Sequence, residues 1–280
     1  MTIKRHKDAF LGAAEDGMVD VVRESLQKNL CDIDCQSNEG DTALIIAVIN
    51  GRIHVVDMLL PHNCDLDVQD NDGWTALMIA AHLGHKEIVD ALLAHNCKLD
   101  VQNEDGWNAL MHAAFKGHKD IVDALLAHNC KLDVQDNDGL TALLKAAFKG
   151  HKDIVDALLA HNCKLDVQDN EGWNALMWAA GKVHKDIVDA LVAHNCKLDV
   201  QSNNGSTALM WAAREGHKDI ADALLAHNCK LDVQSNNGWN ALMHAAFKGH
   251  KDIADALVAH NCSLDLQANS GLSALMFAAE

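Results

Sequence analysis

The sequence predicts an all-α solenoid of stacked helix-turn-helix units joined by hairpin-like turns, and three observations carry that reading. The stretch Asp70–Gln102 recurs nearly residue for residue, with copies beginning at Ser37, Asp70, Asn103, Asp136, Asp169, Ser202, Ser235 and Ala268, a constant period of 33 residues without a gap. Within each full copy a turn-forming stretch precedes two short helical patterns separated by a breaker. Apolar residues make up 49% of the chain, so a core running from copy to copy is available, whereas one such unit is too small to fold alone. If each layer adds about 10 Å, the stack is expected to extend about 80 Å.

Taken in order, residues 1–36 read as a degenerate capping copy. Phe10, Ala13, Ala14, Gly17, Val21, Val22, Leu26 and Asn29 hold its apolar and left-handed positions. Lys4, Arg5, Lys7, Arg23 and Glu24 add the charge that a polar cap over an apolar end requires. Residues 37–267 hold seven full copies, and 268–280 a truncated half copy whose abrupt end suggests a boundary inside a longer protein. In the copy from Asp70, Asn-Asp-Gly has turn chemistry and Thr75 is placed to cap a helix beginning at Ala76. Asn108, Asn174, Asn240 and Ser273 take the same place in other copies. Gly84 closes this first helix in the left-handed C′ position, and His85-Lys86-Glu87 opens a second with an acid in its first turn. Ile88, Val89, Leu92 and Leu93 form the second helix's apolar stripe, Asn96 ends it, and Lys98–Gln102 links it to the next turn.

This arrangement resembles the ankyrin repeat over essentially the whole chain. The family's turn glycine, Thr-Pro-Leu-His, Ala-Ala, Gly-His, Ile-Val and Leu-Leu-x-x-Gly-Ala pattern is matched by Gly73, Thr75, Leu77, Ala80-Ala81, Gly84-His85, Ile88-Val89 and Leu92-Leu93. There are departures. Ala76, Ala109 and Ala142 replace the proline, and Met78, Met111, Met177 and Met210 replace the histidine whose hydrogen bond the family uses. Asn-Cys replaces Gly-Ala, a tolerable exchange because Asn enters the left-handed region and Cys is a small buried hydrophobe. Val183 stands where other copies carry Gly; a β-branched residue is costly at positive φ, which predicts a reshaped junction over 181–184.

Charge excludes two partner classes. With 23 Lys and Arg against 40 acids, a net charge of −17, neither a phosphate backbone nor an anionic membrane is expected as partner. No apolar run reaches spanning length and no signal-peptide pattern opens the chain, so the expected compartment is the cytoplasm, with the nucleus the other that fits. Seven of the nine cysteines recur once per copy; layers about 8–10 Å apart hold them beyond the roughly 7 Å limit for a disulfide, so free buried thiols are expected. The recurring His-Asn-Cys raises a rival reading, a metal-buffering ladder. Zinc, however, needs three or four ligands in one shell, which residues a repeat apart do not readily supply. No cofactor is expected. Catalysis needs one aligned constellation, and residues that come in seven near-copies have no singular partner, so an enzyme is not expected.

The residues that differ between copies are those free to describe a partner. The position after the turn glycine reads Asp41, Trp74, Trp107, Leu140, Trp173, Ser206, Trp239 and Leu272. A position inside the first helix reads Ile46, Ile79, His112, Lys145, Trp178, Trp211, His244 and Phe277. Three and four residues further on stand Ile49/Asn50, His82/Leu83, Phe115/Lys116, Phe148/Lys149, Gly181/Lys182, Arg214/Glu215 and Phe247/Lys248, on the same helix face. The resemblance implies that this face and the turn tips line a concave groove that binds proteins. The expected contact set is Trp74, Trp107, Leu140, Trp173, Trp239, His112, Lys145, Trp178, Trp211, His244, Phe115, Phe148, Arg214 and Phe247, aromatic-rich as interface anchors are. The competing role for the turn-tip Trp residues is to stack on the next copy and cover the core. The expected function is a monomeric, non-catalytic scaffold for a protein or extended peptide. The alternatives are a regulatory or structural region of a longer protein, or an array duplicated or designed without a selected partner.

Overall fold

The computed structural model describes residues 2–279, with side chains from residue 5 onward, so the expected cap charge at Lys4 and the two terminal residues lie outside it. The chain divides into two compact units, Met1–Asn137 and Asp138–Glu280. The first holds α1 (Thr2–Asp16), α2 (Val19–Gln27), α3 (Ala43–Ile49), α4 (Ile53–Leu59), α5 (Ala76–Leu83), α6 (Lys86–Ala94), α7 (Ala109–Lys116) and α8 (Lys119–Ala127). The second holds α9 (Ala142–Lys149), α10 (Lys152–Ala160), α11 (Ala175–Gly181), α12 (Lys185–Ala193), α13 (Ala208–Glu215), α14 (Lys218–Ala226), α15 (Ala241–Lys248), α16 (Lys251–Ala259) and α17 (Ala274–Phe277). Within each unit the first helices of successive copies pack on one another, as α1, α3, α5 and α7 do, and the second helices form a parallel layer behind them. Among the described residues the helices are accompanied by no strand, only an isolated bridge between Gln267 and Ser273.

Local chemistry sets the helix ends. The Thr75 hydroxyl accepts from the Met78 N–H at 3.3 Å, and the Asn108 side chain accepts from Met111 at 2.9 Å, so these first helices begin on a satisfied donor despite lacking proline. Ser273 is an exception to the expected set: it makes no such bond, and the helix it precedes is a single turn. Second helices end on Asn in the left-handed region, at φ +59° for Asn96. Val89, Leu92, Leu125 and Val155 are fully buried between the layers.

The junction over 181–184 is reshaped less than its sequence predicts: α11 ends at Gly181, one residue short of its counterparts α7 and α9. Val183 itself takes the left-handed conformation, at φ +67°, and the His184 N–H donates to Ala179 O at 2.9 Å just as His85 does to Ala80. The contact with the next copy differs as well. At Gly84 and Gly150 an added Cβ would meet the imidazole Cε1 of His118 and His184 at 2.7 and 2.5 Å. The Nε2–H of those rings donates to His82 O at 3.2 Å and Phe148 O at 3.4 Å. Val183 carries such a Cβ, and among the described residues His217 makes no such bond to Gly181.

The links between copies do more than connect. Gln69 Nε2 donates both to Gly73 O, 2.6 Å away in the turn ahead, and to Gln102 O at 3.0 Å in the following copy. Gln168, Gln201 and Gln234 repeat the bond with the next glutamine's carbonyl at 2.9–3.1 Å. These amides tie each turn to its neighbour and fix the platform from which the turn-tip residues project.

Candidate interaction face

The turns bring each tip residue over the first helices. Asp70 Oδ1 accepts from the Trp74 N–H at 2.8 Å, which closes the turn and throws the indole across the layer. In the first unit Trp74 stacks on His112 of the next copy, ring centres 4.3 Å apart, and meets His82 edge-on at 5.3 Å. His82 and His112 share a hydrogen bond between their Nδ1 atoms at 3.3 Å, one ring donating to the other. Trp107 covers His112 from the other side at 5.0 Å and meets Phe115 edge-on at 5.2 Å.

The second unit repeats the design with more rings. Trp173 packs on Trp178 of its own copy at 4.6 Å and on Trp211 of the next at 4.5 Å, while Phe148 abuts Trp178 at 5.1 Å. Trp239 packs on His244 at 4.9 Å and on Phe277 at 4.4 Å, with Phe247 edge-on at 5.4 Å. Thus a tip Trp bridges two copies, five residues ahead in its own and thirty-eight ahead across the boundary, as 173 to 178 and 173 to 211 show. Ser206 breaks this paving between Trp211 and His244.

Exposure divides the expected contact set. His112 and Lys145 are 3% and 2% exposed, so they lie beneath the face and support it. Trp74, Trp107, Leu140, Trp173, Trp178, Trp211, His244, Phe115 and Phe148 are half-buried, each with one side available. Trp239 is half-buried as well, and Arg214 and Phe247 are exposed, Phe247 by 50%. Trp74, Trp173 and Trp239 therefore do what the competing role requires, stacking between copies, while the ring contacts of Trp107 to His112 and Phe115 lie within its own copy, and all four stay partly exposed. His82 and Phe277 belong to the same paving although they fell outside that set; their places in the repeat register identify them.

Cations sit beside the rings. Lys182 Nζ lies 4.7 Å from the centre of Phe148, the Arg214 guanidinium 5.1 Å from Trp211, and Lys248 Nζ 5.7 Å from Phe247. Such contacts are worth about 0.5–1 kcal/mol at exposed sites, too little to hold a fold but enough to keep a charge beside an apolar surface. Burial, reinforced by Arg214, pushes the His244 imidazole down to about 4, so it is neutral at pH 7 and adds shape without charge.

A family model described as Ankyrin repeats (3 copies) matches residues 10–103, 92–169, 161–235 and 224–280. The chain belongs to the ankyrin-repeat family. No curated protein matches it. Ankyrin repeats are in general protein–protein interaction modules. Within this ankyrin-repeat chain the His-Asn-Cys series has a definite structural use. The Nδ1–H of His95, His161, His194, His227 and His260 donates to the carbonyl four residues earlier at 2.9 Å, which pins each imidazole against the last turn of its second helix. Burial, with Asp67 or Asp100 close by, pushes the Cys97 and Cys130 thiols up to about 12, away from the thiolate that a metal ligand or nucleophile needs.

Proposed function

We propose that this ankyrin-repeat chain is a non-catalytic scaffold, monomeric by itself, that holds an extended segment of a partner protein against the aromatic face of its first helices and turns. The single observation that carries this reading is Phe247, half exposed yet clamped edge-on by Trp239 and Phe277. An apolar side chain held rigid at the surface costs little further ordering when a partner covers it. Phe115 and Phe148 occupy the same register in other copies, and Lys182, Arg214 and Lys248 supply cations beside the rings, which suits a partner presenting apolar and acidic groups together. The net charge of −17 supports a protein rather than a nucleic acid as that partner. Free buried cysteines support a reducing compartment, the cytoplasm or the nucleus.

The test is capture from a cell lysate by the intact chain and by a variant carrying Phe115→Ala, Phe148→Ala and Phe247→Ala. A protein held by the parent and lost from the variant is expected. Proteins retained equally by both would overturn the reading.

A further inference from the structure

The aromatic paving is absent from the first full copy, and its absence leaves a groove. The tip position there is Asp41 and the helix position is Ile46, so no indole crosses from the turn to the layer beneath. Between α1, α3 and that turn lies a cavity of about 1090 Å³. Its floor is apolar, made by Leu11, Ile46 and Ile49, the last of these 44% exposed. Asp8, Glu15, Glu39 and Asp41 stand around it, and Lys7 is the one cation among the described lining residues. Burial pushes the Asp41 carboxyl above the usual carboxylate range, and Asp70, Glu39 and Asp72 push it further, a tension that a positive charge would relieve.

We infer that this groove, the continuation of the same turn-tip and first-helix face into the first full copy, takes a basic, amphipathic segment of a partner protein, an inference that rests on reading that face as the docking surface. Charge complementarity and the floor decide the occupant. Three negative charges in excess call for Lys or Arg, while Leu11, Ile46 and Ile49 call for alternate apolar side chains where other copies place their own Trp. A small polyamine would leave that floor uncovered. An acidic segment would meet the like charge of Asp8, Glu15, Glu39 and Asp41.

Gly12 supplies a steric test without an electrostatic one. It lines the groove from within α1, and a Cβ added there meets nothing within 4 Å, so Gly12→Leu fills the space, improves helix propensity and leaves the charge unchanged. The probe is a fluorescein-labelled peptide of alternating Arg and Leu, followed by anisotropy with the intact chain, beside the same peptide with Glu for Arg. We expect the Arg peptide to bind and the Glu peptide not to. Glu39→Gln with Asp41→Asn should weaken the Arg peptide about tenfold or more, Gly12→Leu should do at least as much, and Phe115→Ala should leave it unchanged. Equal binding of both peptides, no binding of the Arg peptide, or undiminished binding by Gly12→Leu would overturn the inference. Loss in Phe115→Ala alone would assign the peptide to the aromatic face and overturn it as well.

Discussion

At the scale of single residues, near-identity between copies turns each exception into a controlled comparison. Trp178 Nε1 donates to Asp169 Oδ2 at 2.9 Å, whereas Trp211, one copy on, has its Nε1 buried without an acceptor. The cause is the residue nine places earlier: Asp169 has become Ser202, whose hydroxyl instead donates to Asn204 and to the Ser206 carbonyl. An unsatisfied buried donor costs about 1–3 kcal/mol, against a slight penalty for one more acid on an acidic chain. Ser202→Asp should therefore stabilise the fold by about 1 kcal/mol in urea unfolding; a variant no more stable than the parent would refute the account. Val183 is the second exception. Its left-handed backbone costs about 1–3 kcal/mol, more than the roughly 0.5–1 kcal/mol that glycine would add through unfolded-state entropy. We expect Val183→Gly to raise stability by about 1 kcal/mol and to let His217 donate to the Gly181 carbonyl. Protection of its ring proton in the NMR spectrum would report that bond.

At the scale of elements, the second helices differ in how well their apolar stripe is covered. Ile154, Val155, Leu158 and Leu159 of α10 are all buried, but in α16 only Ile253 and Leu257 are; Ala254 is half-buried and Val258 is 46% exposed. With fewer methyl groups removed from water, amides of α16 and α17 should exchange with deuterium faster than those of α10. Equal protection in the two regions would contradict this. Most of these elements were legible beforehand. Thr or Asn before each first helix, Gly after it and Asn after the second are local capping chemistry, readable wherever it stands, and only Ser273 failed among them. What the linear pattern hid was every contact that depends on how one copy superposes on the next. The glutamine bonds between links, the thirty-eight-residue reach of the tip Trp and the burial of His112 and Lys145 all belong to that class. Exposed Phe247 was legible as a variable position, but its clamping by Phe277 from the following copy was not.

At the scale of the whole molecule, two electrostatic effects oppose each other. Lys86–Asp90, Lys119–Asp123, Lys152–Asp156 and Lys185–Asp189 form ion pairs four residues apart along the second helices. Placing Lys before Asp in such a pair is the less favourable order, and surface pairs of this kind contribute a few tenths of a kcal/mol at most. Against them stands an excess of 17 negative charges on 280 residues, which repel one another over the whole surface. At about 10 mM salt the screening length is roughly 30 Å and this repulsion extends over several repeats; at about 150 mM it shrinks to roughly 8 Å, less than one repeat. The pairs are short and partly survive that change, whereas the long-range repulsion does not. Raising sodium chloride from about 10 to 150 mM should therefore raise Tm, and calorimetric scans at both concentrations check the sign. A lower Tm at the higher salt would mean that the helical pairs, despite their order and exposure, outweigh the net charge.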